Sequence, residues 1–120
     1  MTLQSVLPKE GMSMNREANI TDKALLMIGM ARRANKVYTG SDKCTEAVRS
    51  KRAKLIIIAT DASDNTRKML INACTHYSVQ YIEYGTMADL GHITSSPITA
   101  TVAVIDDNFA KAILDRAIQA

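Results

Sequence analysis

This sequence predicts an α/β fold, with helices on both sides of a small sheet. Three observations predict it. Leu55-Ile56-Ile57-Ile58-Ala59 is as apolar a run as the chain has, and it does not alternate with polar residues, which marks a strand covered on both faces. Stretches of helical period lie on either side of it. Strands and helices then alternate along the chain, the pattern of an α/β class. The 120 residues suffice for one domain with one core. A content of 47% hydrophobic and 22% charged residues is that of a globular protein. No internal repeat or linker divides the chain.

Residues 1–18 lack an apolar period and contain Pro8 and Gly11. They read as a flexible arm or extension, and the domain as residues 19–120. A first helix is expected from Thr21, capped by Thr21, with Ile20 and Leu25 as a hydrophobic staple. Ala24, Leu25, Ile28 and Ala31 carry its helical period, and it ends near Ala34-Asn35. Val37-Tyr38 can form a very short strand. Gly40 marks a turn, and Ser41 can cap a second helix to about Ser50 with Cys44, Ala47 and Val48 inward.

Leu55 to Thr60 is the buried strand, followed by a loop over Asp61 to Asn65. A third helix is expected over Thr66 to Tyr77, with Met69, Leu70, Ala73 and Cys74 inward. Val79 to Tyr84 reads as the next strand. Thr86 to Gly91 reads as a short helix closed by Gly91. After a loop at Thr94 to Pro97, Thr101 to Ile105 is the last strand. Asp107 then caps a helix through Ile118, with Phe109, Ala112, Ile113 and Ala117 on one face.

Charge is distributed unevenly. Eight of the fifteen basic residues fall between Arg32 and Lys54, against two acids, Asp42 and Glu46, so this window carries +6. Residues 1–60 hold eleven Lys/Arg and five Asp/Glu (+6), while residues 61–120 hold four and seven (−3). A basic rim beside a buried strand suits a polyanion, and nucleic acid is the commonest one. The competing reading is a solvated, charge-mixed surface. With one Phe and no Trp, base stacking on aromatic platforms is not the main mode of any RNA contact.

Other chemistry is sparse. Cys44 and Cys74 form neither a disulfide framework nor a zinc pattern, and free thiols fit a reducing cytoplasm. No apolar run approaches the roughly 18 residues of a membrane span, and no signal pattern opens the chain. There is no glycine-rich phosphate fingerprint. His76 and His92, the two histidines, have no Glu or Cys at ligand spacing, so no metal or cofactor is expected. Cys44, early in a helix, could have a lowered thiol pKa, but no base accompanies it and it reads as core. Asp61 follows the buried strand, where open α/β sheets often place functional carboxylates, or it simply caps the next turn. Gly40 is either a turn residue needing positive φ or a point where a ligand approaches a helix start that favours anions.

Gly40-Ser41-Asp42-Lys43, the block Arg52-Ala53-Lys54-Leu55-Ile56-Ile57-Ile58-Ala59, Leu90-Gly91 and Val102-Ala103-Val104 together resemble the L-seven-Ae/L-thirty-e superfamily of ribosomal and kink-turn RNA-binding proteins. The resemblance is nearest to its bacterial YlxQ-like branch and covers roughly Asp22 to Ile118. It implies a three-layer α-β-α sandwich with a four-stranded mixed sheet and no catalytic activity. It implies an RNA-binding edge in two parts, the turn and helix start at Gly40 to Lys43 and the loop Thr94-Ser95-Ser96-Pro97-Ile98. In that family the first part straddles tandem sheared G·A pairs, and the second packs on bases flipped from a bulge.

The family motif is Gly-x-Asn-Glu with a Lys three residues later. Here Gly40 keeps the Gly, while Asp42, Lys43 and Glu46 stand at the Asn, Glu and Lys positions. Charge and position add Arg33, Lys36, Arg52 and Lys54 as phosphate contacts. The expected RNA-binding set is thus Arg33, Lys36, Gly40, Ser41, Asp42, Lys43, Glu46, Arg52, Lys54, Asp61, Ser96, Pro97 and Ile98. The expected partner is a structured, kink-turn-like RNA, ribosomal or in an mRNA leader, bound by a cytoplasmic monomer with no membrane contact. The alternative is a protein-interaction module on the same scaffold, because Asp42 and Glu46 erode the RNA motif.

Overall fold

A computed structural model describes residues 22–119 of the chain. The order is α1 (Lys23–Arg33), β1 (Val37–Thr39), α2 (Ser41–Arg49), β2 (Leu55–Ile58), α3 (Asp64–Tyr77), β3 (Tyr81–Glu83), α4 (Met87–Ile93), β4 (Thr101–Val104) and α5 (Asp107–Gln119). The proposed arm over 1–18, and the capping and staple roles of Thr21 and Ile20, lie outside the described residues.

The four strands form one mixed sheet in the order β1-β4-β2-β3. β4 runs antiparallel to both β1 and β2, whereas β2 and β3 are parallel. Every residue of β2 and β4, the two inner strands, is buried. That is the burial the unbroken apolar run predicts, and helices supply it. α2 packs on α3, and α1 packs on α5 and α4. Ile28, Val48, Leu70, Leu90 and Ile113 from five helices meet Leu55 to Ile58 and Val102 to Val104 in one core.

The register defines two ends of the sheet. Thr39 pairs Val102, and Ile58 pairs both Thr101 and Glu83. One end therefore gathers the residues just after β1, β2 and β3 with those just before β4: Gly40, Thr60-Asp61, Gly85 and the segment up to Ala100. Val37 and Leu55 both pair Val104, and Ile56 pairs Tyr81. The other end therefore gathers Lys36, Arg52 to Lys54, Gln80 and Ile105.

Several boundaries differ from the sequence expectation. Asp22 caps α1, its Oδ1 accepting from the Leu25 N–H at 3.0 Å and its Oδ2 from the Tyr84 hydroxyl. Burial and that carboxylate push the Tyr84 hydroxyl pKa up. α2 is capped by the Gly40 backbone, with no side-chain bond from Ser41. α3 starts two residues early because Ser63 caps it, accepting from Thr66 N–H at 3.2 Å. Leu70 and Cys74 are its buried stripe, and Met69 turns outward at 44% exposure. α5 is capped by Asp106, whose Oδ2 accepts from Phe109 N–H at 2.9 Å, rather than by Asp107. Gly91 lies inside α4 instead of closing it, and Thr94 is the C-cap.

Candidate nucleic-acid interface

The Gly40 end is built from a backbone reversal. The Gly40 N–H donates to the Thr101 carbonyl of β4 at 3.3 Å, and the Gly40 carbonyl accepts from Cys44 N–H at 3.0 Å as α2 begins. Between these bonds Gly40 holds φ +97° and ψ +147°, a region closed in practice to residues with a side chain. A Cβ placed there would meet nothing within 4 Å. Both readings of Gly40 are therefore compatible: the turn needs glycine, and the surface beside it is open. The following N–H groups of Ser41, Asp42 and Lys43 belong to a first helical turn, which has no intrahelical acceptors for them. The Asp42 and Lys43 side chains are exposed, and Ser41 is half-buried.

Tyr38, Asp42, Lys43, Glu46 and Arg52 line an open cleft of about 330 Å³ here. Arg52 lies over the Tyr38 ring at 5.3 Å and donates to its hydroxyl at 3.1 Å. This tethers a guanidinium that adjacency in sequence alone would assign to the far side of α2. Two acids face two bases, so the cleft is electrically neutral. Glu46 also approaches Arg49 at 4.0 Å, but both are about 60% exposed, and such pairs contribute little.

The second part is the segment after α4. A capping box starts that helix: Thr86 Oγ1 accepts from Asp89 N–H at 3.0 Å, and Asp89 Oδ2 from Thr86 N–H at 3.3 Å. Asp61 Oδ1 accepts from Met87 N–H at 2.8 Å, so this carboxylate anchors the helix start. The chain then folds back over α4. Ser96 N–H donates to the Gly91 carbonyl at 2.8 Å. A Cβ on Gly91 would lie 2.9 Å from Ser96 O, Pro97 O and Ile98 Cα. Thr94 Oγ1, fully buried, donates to Leu90 O at 2.6 Å, and Arg32 Nε donates to Thr94 O at 3.2 Å. Ile98 is left 64% exposed.

The two parts share one joint. The Thr101 carbonyl that accepts the Gly40 N–H also accepts the Thr99 hydroxyl at 3.1 Å. The structure thus brings Gly40 to Lys43 and Glu46 to the same end of the sheet as Ser96, Pro97, Ile98 and Asp61, and the Arg52 side chain reaches back toward them from the opposite end to meet Tyr38. Arg33 reaches this side as well. Its Nη1 and the Ile93 carbonyl at the end of α4 both lie within 4 Å of the Cβ position of Gly29. Lys36 and Lys54 sit at the opposite end, beside Ile105 and Val104. The basic window that is contiguous in sequence is divided in space. Sequence reasoning missed Tyr38, Arg32 and the packing role of Gly91. Tyr38 could be placed only once β1 was known to pair with β4.

Among the described residues, catalytic groups do not assemble. Burial pushes the Cys44 thiol up to about 12 and the Cys74 thiol up to about 11, the reverse of an activated nucleophile. His76 and His92 are both exposed, on different helices. Among the described residues no group of His, Cys, Asp or Glu could hold a metal ion, and no helix is long and apolar enough to cross a membrane.

Comparison with known proteins agrees with this fold. The family model described as the ribosomal protein L7Ae/L30e/S12e/Gadd45 family matches residues 22–114. The chain belongs to this family. Within it, the chain is similar to the RNA-binding protein YlxQ of Bacillus subtilis (strain 168), at 36% identity over 88 residues, which is 73% of this chain and 88% of that protein. It is similar to YlxQ of Enterococcus faecium at 33% over 89 residues, 74% and 85% of the two chains. A solved structure of a Bacillus halodurans protein of unknown function superposes with TM-score 0.76 at 26% identity, over 79% of this chain and 96% of that one. The Giardia lamblia 15.5kD RNA binding protein shares the fold, with TM-score 0.67 at 19% identity over 93% and 89% of the chains. The L7Ae-type architecture and the YlxQ-like branch expected from the sequence are thereby established.

Proposed function

We propose that this L7Ae-family chain is a non-catalytic RNA-binding protein that recognises a kink-turn or a related sharply bent RNA through its Gly40 end. One observation carries the reading. An open glycine turn with φ +97°, at the start of a helix, is joined through Thr101 to a segment that presents the exposed Ile98. A backbone without a Cβ lets base edges approach the first turn of α2. The Ser41 to Lys43 N–H groups suit phosphate or base acceptors there. A carboxylate at Asp42 accepts hydrogen bonds from guanine N–H groups and offers none in return. Ile98 and Pro97 supply apolar surface for an unstacked base, the way single-stranded elements of RNA are usually held.

Affinity follows from charge. Lys43, Arg52 and Arg33 supply phosphate contacts that position without reading sequence. Asp42 and Glu46 offset part of that attraction, so binding is selective but moderate in strength. On this reading the protein acts in the cytoplasm, as a monomer, on ribosomal RNA or a structured mRNA leader. The test is a titration against a fluorescent kink-turn RNA and a control in which its G·A pairs are replaced by Watson–Crick pairs, at two salt concentrations. Tighter binding to the kinked RNA at both salts supports the proposal. Equal affinity for the two RNAs sinks it. No binding to either favours a protein partner, as the two carboxylates beside Gly40 would suit.

A further inference from the structure

We propose that the end of the sheet opposite Gly40 is a second RNA contact, a lysine-lined groove that grips phosphate backbone. The inference rests on the RNA-binding reading above. Two clefts adjoin there, of about 340 and 240 Å³, and they share Lys54 and Gln80. Lys51 lines the first and Lys111 the second, with Asp107 as the one acid along either among the described residues. Three cations against one carboxylate leave +2, where the Gly40 cleft is neutral. The surplus positive charge of the Arg32–Lys54 window therefore lies partly outside the family's reading edge.

The groove is fixed and its cations are available. Lys51 Nζ donates to the Tyr77 carbonyl at 2.6 Å, at the end of α3, and an ammonium so held has two further N–H donors for a ligand. Lys54 and Lys111 are exposed and form no ion pair among the described residues. The lining chemistry selects the partner class. Protein interfaces are enriched in aromatic residues and depleted of lysine. Here, among the described residues, no aromatic side chain lines either cleft, and three lysines, Gln80 and Ser78 make up half of the lining, beside small or aliphatic residues and Asp107. Lysine, glutamine and serine side chains are among the groups that make sequence-blind phosphate contacts. Lys36, at the same end, extends the positive surface. β2 alone separates the two ends by four residues, about 13 Å at the strand rise, so the groove is a separate site on the sheet and takes a stretch of backbone other than the one at Gly40. The protein is built to hold two RNA segments, reading one and gripping the other.

The experiment compares the unchanged protein with a Lys54→Gln/Lys111→Gln double variant on a plain RNA duplex of about two turns and on a short-armed kink-turn RNA. Circular dichroism and melting check the fold, and a Lys54→Arg/Lys111→Arg protein controls for packing. The expected result is at least a fivefold loss of affinity for the plain duplex. The slope of log affinity against log salt falls by about 1–2, roughly one per cation removed. The Arg protein keeps the affinity, and the preference for kinked over control RNA is unchanged. Unaltered duplex affinity and salt slope overturn the groove, whether or not the unchanged protein prefers the kinked RNA. Loss of that preference in the unchanged protein, with the duplex effect intact, overturns the kink-turn reading and upholds the groove.

Discussion

Replacing Gly40 with alanine tests the structure and the function at one position. With φ +97° and ψ +147°, the backbone sits where a Cβ costs about 1–3 kcal/mol. Alanine also reduces the freedom of the unfolded chain, which returns about 0.4–1 kcal/mol. The net loss is about 0–2.6 kcal/mol, and no clash adds to it, because nothing lies within 4 Å of the new methyl. For a domain of this size, 1.5 kcal/mol lowers the melting temperature by roughly 6–12 °C. The variant still folds, and binding is measured well below its melting point. There the methyl occupies the open surface that the RNA must approach, and Kd for the kink-turn RNA rises at least tenfold, or about 1.4 kcal/mol. Gly40→Val adds bulk and β-branching and does more of both. Calorimetry and fluorescence titration read the two effects separately. A raised melting temperature would refute the backbone argument, and an unchanged Kd in the folded variant would refute the interface.

Other perturbations separate the parts of the account. Gly91→Ala gains about 1 kcal/mol of helix propensity but drives a methyl to 2.9 Å from three backbone atoms of residues 96–98; overpacking of that kind costs about 1–3 kcal/mol, so urea melts should show net destabilisation together with weaker RNA binding. Thr101→Val should raise stability by up to about 1 kcal/mol, because the buried Thr101 hydroxyl lacks a conventional partner and faces the Cys44 thiol; a loss of stability would mean that contact matters. Asp42→Asn with Glu46→Lys restores two family positions and should tighten kink-turn binding by about 1–3 kcal/mol, the worth of a good base contact, with the control RNA gaining less. The two thiols should resist Ellman's reagent at pH 8 until the protein is unfolded. Their folded pKa values of about 12 and 11 lie above the ordinary 9.0, so the folded state favours the protonated form. That contribution is complete below pH 9 and is lost as pH rises from 9 toward 11–12, which denaturant midpoints across that range would show.

Much of the fold is legible in the sequence because its core is dense. Leu55 to Ile58 and Thr101 to Val104 are covered on both faces, so burial leaves an unbroken apolar signature. Cap positions shift by a single residue where two capable residues adjoin, as at Thr21-Asp22 and Asp106-Asp107. Composition does not decide which of the pair reaches the first turn. Gly91 near a helix end looks like a terminator, yet its role is long-range, since residues 96–98 cross it at contact distance. Met69 and Leu70 are equally apolar, and only the position of α2 against α3 decides which is buried. The candidate interface is half legible. Family resemblance puts Gly40 and Ile98 together, and the structure supplies the Thr101 joint. The basic window misleads because nearness in sequence is not nearness in space. The nine residues of α2, at 1.5 Å each, carry the chain about 13 Å from one end of the sheet toward the other. Lys43 and Lys54 therefore serve different surfaces.

The most direct test is amide chemical-shift mapping with one equivalent of a short-armed kink-turn RNA. Shifts concentrated at residues 40–46 and 94–99, with the amides of residues 78–80 and 108–111 unmoved, are the expected result. A complex that forms without moving the amides of Gly40 to Lys43 would contradict the account.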